Sequence, residues 1–166
     1  MSSGSSYRQA MKDWGKTPDI NWDICATWHV PLEMKRDSFG WDDRRHEVEM
    51  RKYFNALDRR IYKAAHKNRG ARVLRWVVME RAGGVGWHSH ALLKTPDHMS
   101  QQEFIDELCG LWNQHCGIKN GSRFQSRLFK AELVSGDFLG YTVKGILDDE
   151  DANGVIDLHN TYLPKL

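Results

Sequence analysis

The feature that most constrains this chain is a pair of apolar runs around a glycine-rich turn. Residues 72–80, RVLRWVVME, and residues 87–94, WHSHALLK, are both β-prone, and RAGGVG at 81–86 separates them. Two such runs across a short glycine turn read as a β-hairpin. The second run carries His88 and His90 two residues apart. Side chains alternate faces along a strand, so both histidines point the same way and Ser89 points the other. They can be ordinary strand histidines, or both can reach one metal ion. Glu80 ends the first run. If the turn sets Glu80 opposite His88, two imidazoles and a carboxylate share one face, a donor set suited to a divalent ion with open positions. A slip of one residue would turn Glu80 away.

The remaining chain supplies the elements around that hairpin. Residues 22–30, WDICATWHV, bounded by Pro31, read as a first strand, and 36–42 as a loop. A long helix is expected over about 43–68, where Met50, Phe54, Leu57, Ile61 and Ala64 or Ala65 make one apolar stripe. Gly70 is its expected stop. Ser100 and Glu103 form a capping box that opens a helix over about 101–116. Its buried face is Phe104, Leu108, Leu111 and Trp112, and Gly117 ends it. Residues 122–134 read as a strand or hairpin, and 137–147 as a short helix weakened by Gly140 and Gly145. The end after Asp148 is expected to be irregular. Hairpins and helices mix without a parallel βαβ repeat, which favours α+β, a central antiparallel sheet with helices packed on it.

A length of 166 residues suits one compact domain, expected over 21–166 after a polar segment at 1–20. The net charge of +2 announces no nucleic-acid binder, but residues 44–75 hold eleven Lys or Arg against Glu47, Glu49 and Asp58. Seven tryptophans are many for this length and can serve a core or stack on bases. The three cysteines form no CxxC pair, so free thiols are the default. Cys109, His115 and Cys116 lie close enough to hold zinc but lack a fourth ligand, and buried small cysteines are the simpler reading. No signal-peptide core and no membrane-length apolar run is present, which points to an intracellular protein.

A second motif is YTVK, residues 141–144. On a helix Tyr141 and Lys144 are neighbours, so a phenol sits beside an ammonium. Alone this is most simply a helix tyrosine with a surface lysine. A strand-borne HxH, an upstream acid and a downstream helical YxxK, in this order, resemble the HUH endonucleases, and among them the rolling-circle replication initiator (Rep) nucleases of bacterial phages and plasmids. The resemblance runs over about 22–147. ICATWHV sits where the family's first motif lies, and WDDRRHEVEMRKYFNALDRRI is similar to its long helix. Here Ser89 replaces the bulky apolar residue usual between the histidines. Only Tyr141 matches the tyrosine motif, with Tyr162 too far downstream to be its partner.

The resemblance implies a Rep-type, ferredoxin-like fold and nicking of single-stranded DNA at a replication origin. Tyr141 would form a 5′-phosphotyrosyl intermediate and Lys144 would place the phosphate or favour the phenolate. Mn²⁺ or Mg²⁺ would sit on Glu80, His88 and His90. Single-stranded DNA would be the partner, with host helicase and polymerase beside it, in the cytoplasm of a bacterial host and with no membrane. Lys119, Arg123, Arg127 and Lys130 are the candidates for phosphates, and Trp28, His29 and Trp87 for bases. A single-tyrosine HUH transposase shares these motifs. A non-catalytic binding module of RNA-recognition type would share the sheet and need neither motif.

Overall fold

The computed structural model describes residue 13 and residues 20–31, 42–82, 86–118, 128–135 and 155–164. Among them the chain runs β1 (Ile24–His29), α1 (Asp43–Tyr62), α2 (Ala64–Arg69), β2 (Arg75–Ala82), β3 (Gly86–Leu93), α3 (Gln101–His115), β4 (Phe129–Leu133) and β5 (Val155–Ile156). The strands form one sheet in the order β4-β1-β3-β2-β5, and every neighbouring pair is antiparallel. The architecture is α+β, as the mixture of hairpin and helix signals implies.

The sheet's pleat sorts the strand residues onto two faces. Ile24, Ala26 and Trp28 of β1, Val77 of β2, Ala91 and Leu93 of β3 and Phe129 of β4 join the core beneath the helices. From α1 that core takes Met50, Tyr53, Phe54, Leu57 and Ile61, and from α3 Phe104, Leu108, Leu111 and Trp112. The buried spacing of three and four is what makes each helix amphipathic. Trp28 lies at the middle, with Tyr53, Phe54 and Phe129 rings 5.5–5.7 Å from its own. The two helices are joined by Tyr53, whose hydroxyl donates to the Leu108 carbonyl at 3.0 Å. Asp42 caps α1 by accepting from the Arg45 N–H, and the Ser100–Glu103 capping box opens α3.

Two expectations need correction. The long helix is two helices, because Lys63 takes φ 47°, ψ −117° and interrupts the ladder. The apolar stripe therefore ends at Ile61; Ala64 is exposed, Ala65 only half-buried, and α2 has no buried residue. Gly70 does close α2, in the left-handed conformation. The C-terminal stretch is not irregular throughout. β5 pairs with β2, and Tyr162 exchanges backbone hydrogen bonds with Arg75 at 2.8 and 2.9 Å. A two-residue strand is too short to leave a periodic signal. The helix expected over 137–147 lies outside the described residues, and among those that are described no helix is long and apolar enough to cross a membrane.

A buried ion pair ties these parts together. Arg75 of β2 meets Asp58 of α1 at 2.9 and 3.0 Å, and both side chains are fully buried. Asp58 also accepts the Val73 N–H at 2.9 Å. The Arg75 Nε–H donates to the Asn160 carbonyl at 2.7 Å, and its guanidinium lies 4.7 Å over the Phe54 ring. Helix, central strand and C-terminal segment thus share one cation. Removing one member of a buried pair leaves the other charge without compensation. Asp58→Asn keeps the shape but strips the charge, and should cost about 3–5 kcal/mol in urea denaturation. A loss under about 1 kcal/mol would show that the pair behaves like a solvated one.

Candidate metal centre on the sheet face away from the helices

The face of the sheet turned away from the helices is organised by strand register. His29, His88 and Glu80 stand in one row, because His29 pairs with His88 and His88 with Glu80. Thr27, His90 and Val78 form the next row, and Cys25, Leu92 and Trp76 the one after. The third row belongs to a second apolar cluster of Trp22, Cys25, Trp76, Val78 and Leu92, flanked by Ile156 and Leu163. One end of this face is therefore apolar and the other carries imidazoles and a carboxylate.

Glu80 and His88 are directly opposed, so the hairpin register is the one that brings the acid to the histidines. Glu80 Oε1 lies 2.8 Å from His88 Nε2 and 3.2 Å from His90 Nε2. The three residues offer ligand atoms within 4.8 Å of one another, a grouping capable of holding a metal ion. Both histidines are nearly buried and Glu80 is half-buried. The hydrogen bonds from His88 and then His90 hold the Glu80 carboxyl well below the usual carboxylate range, against the opposing effect of burial.

The partners on the far sides of the rings set what this group can hold. His88 Nδ1 lies 3.1 Å from the Gly86 carbonyl, and Gly86 itself sits at φ 80°, a conformation suited to glycine. Nδ1–H donates there, because a carbonyl only accepts. In a neutral ring Nε2 then carries a lone pair, and that lone pair faces the Glu80 carboxylate. Without an ion, only a doubly protonated His88 could donate at both nitrogens. A divalent cation among the three atoms satisfies the same arrangement with a neutral ring, so the residues fit a metal. His90 Nδ1 is likewise held, 2.9 Å from Thr27 Oγ1. The His29 ring stacks on His88 at 5.1 Å and 22°. Thr27 had no signal in the sequence, since its role depends on the pairing of β1 with β3.

The other candidates separate by face and by coverage. Lys130 of β4 pairs with Thr27, shares the imidazole face, is exposed, and donates to Glu132 at 3.2 Å. Trp28 is corrected: it is fully buried on the helix face and has no surface to offer a base. The pleat that aligns His88 with His90 sends the partly exposed Trp87 to the opposite face, where its ring lies 6.4 Å from that of His46. Tyr141, Lys144, Lys119, Arg123 and Arg127 lie outside the described residues. Tyr162 pairs with Arg75, at the far end of β2 from Glu80. The cysteines are free thiols; burial pushes Cys25 up to about 11 and Cys116 up to about 12, the reverse of what a zinc thiolate needs. His115 pairs instead with Glu49 at 3.3 Å.

No family model and no curated protein matches this chain. Among solved structures, the N-terminal nuclease domain of minute virus of mice non-structural protein 1 aligns with 82% of this chain and 75% of its own, at 12% identity and a TM-score of 0.36. That structure is described as showing Zn²⁺ coordination in its active-site pocket and DNA recognition at the origin of replication. A likeness of this strength carries no structural argument.

The electrostatics of Glu80 make a pH prediction. A folded pKa held below the ordinary 4.5 contributes stability above that value and loses it as pH falls toward the folded pKa. With chelator present throughout, Glu80→Gln should be less stable than the parent near pH 7. The gap should narrow as pH drops from about 4.5 to about 3. Urea midpoints across that range provide the measurement, and a gap of constant size would contradict the assignment.

Proposed function

We propose that this chain is an HUH-type endonuclease and strand transferase that nicks and rejoins single-stranded DNA at a replication origin, as rolling-circle initiators do. The observation that carries the reading is the convergence of Glu80 Oε1, His88 Nε2 and His90 Nε2 on one sheet face. The YxxK motif at Tyr141 and Lys144 supplies the second half. A base-stacking platform on this face would need aromatic side chains there, and Trp28 is buried on the opposite one.

Glu80, His88 and His90 would hold the ion. Two imidazoles suit Mn²⁺ better than Mg²⁺, which favours oxygen ligands. When bound, the cation polarises the scissile phosphate and offsets charge that builds on it. Tyr141 attacks the phosphorus through its phenolate oxygen. The new bond joins phosphorus to Tyr141, the bond to the 3′ oxygen breaks, and that oxygen takes a proton to leave as a free hydroxyl. Attack by a 3′ hydroxyl on the phosphotyrosine reverses the step, so no nucleotide cofactor is consumed. Lys144, three residues after Tyr141 in the sequence, favours the phenolate. Lys130, with Lys119, Arg123 and Arg127, neutralises DNA phosphates. His29, stacked on His88, lies on the same face and contacts the DNA strand there. The reaction belongs in the cytoplasm of a bacterial host, with helicase and polymerase following the nick.

The test is a labelled, randomised single-stranded DNA pool incubated with the protein, with and without Mn²⁺, and resolved under denaturing conditions. A covalent adduct should form with Mn²⁺, vanish in Tyr141→Phe and persist in Tyr162→Phe. Glu80→Ala or His88→Ala should lower its rate by at least about a hundredfold. An adduct that survives Tyr141→Phe would remove the proposed nucleophile. DNA binding without cleavage under any metal would favour a binding module.

A further inference from the structure

The middle residue of the HxH motif points into the protein and is polar there. Ser89 Oγ lies 2.8 Å from His46 Nε2, and both residues are fully buried. His46 belongs to the first turns of α1, the helix capped by Asp42, and the Trp87 ring lies beside it. The strand that carries both metal-facing histidines is therefore fastened to α1 at the one residue between them. We propose that the Ser89–His46 hydrogen bond positions His88 and His90 for metal binding; this rests on the metal reading above.

The argument is geometric. In a pleated strand His88 and His90 share a face and Ser89 projects from the reverse side. A twist of the backbone about Ser89 moves both imidazoles relative to Glu80. A metal group tolerates displacements of about 0.5 Å before affinity falls. Gly86 and Thr27 orient the two rings about their own bonds, but neither holds the backbone between them. The ladders to β1 and β2 hold that backbone within the sheet, and the bond from Ser89 to His46 ties it to a helix packed across the core. An apolar residue at position 89 would fill space without specifying a direction, whereas a hydrogen bond between two buried groups specifies both distance and angle. Ser89 and His46 are thus positioning residues that act through the strand and touch neither ion nor substrate.

The experiment measures Mn²⁺ affinity by calorimetry without DNA, alongside thermal unfolding, for the full chain and for Ser89→Ala, His46→Phe and the double variant. Each single change should weaken Mn²⁺ binding about three- to tenfold, and the double should be no weaker than the singles, because all three remove the same bond. The double should recover thermal stability relative to the singles, since replacing both partners leaves no buried polar group unpaired. Affinity that tracks stability across the set would mark a purely structural bond and overturn the proposal. So would unchanged affinity in folded variants. If a variant does not fold, imidazole ¹H–¹⁵N spectra of the parent chain titrated with Zn²⁺ decide the matter. The His46 signals should shift with the same midpoint as those of His88 and His90, and unmoved His46 signals overturn the coupling. Glu80→Ala separates the two levels. A parent chain that binds Mn²⁺ no better than this variant refutes the metal reading and with it the proposal, whereas Glu80-dependent binding indifferent to Ser89 refutes the coupling alone.

Discussion

The register of three antiparallel strands is the constraint from which the rest of this structure follows. With Glu80 opposite His88 and His88 opposite His29, the pleat commits every neighbouring position to a face. Ala26, Trp28, Val77, Ala91 and Leu93 then point to the helices, and the imidazoles, Thr27 and Glu80 point away. A shift by one residue would turn the histidines toward Phe54 and Trp112 and turn Trp28 to the other face. Hydrophobic burial on one face therefore holds the polar geometry on the other. The core is what keeps the candidate metal centre assembled, at about 25 cal/mol for each Å² of apolar surface removed from water.

That dependence explains the distribution of buried polar groups. Burying a polar group is costly unless it is hydrogen-bonded, and two of the buried pairs here mark joints between elements. Asp58 and Arg75 join α1 to β2 and reach the C-terminal segment through Asn160. Ser89 and His46 join α1 to β3. Both of these α1–strand contacts thus include a directional interaction within an apolar interface. Apolar packing alone tolerates sliding, whereas these bonds select a single alignment.

Much of the fold could be read from the chain, with errors that have identifiable causes. Met50, Phe54, Leu57 and Ile61 carry a stripe long enough to be unmistakable, and the Ser100–Glu103 box marks a helix start by local chemistry. The break at Lys63 left no such mark, because neither glycine nor proline stands there. Within the candidate site, His88, His90 and Glu80 were legible because their spacing around the glycine turn is local. Thr27 and His46 were not, since they meet the hairpin from sequence distances of 63 and 43 residues. The burial of Trp28 was not legible either, because composition reports an aromatic residue without reporting its face.

The sequence by itself determined the α+β class, the hairpin, the two amphipathic helices and the same-face placement of His88 and His90. Each follows from periodicities that need only a few consecutive residues. Tertiary structure alone decided that Glu80 stands against both imidazoles, that Gly86 and Thr27 orient them, and that Ser89 meets His46. Those outcomes depend on which strands pair and in what register, and register is set by the burial of a whole face rather than by any short stretch of chain.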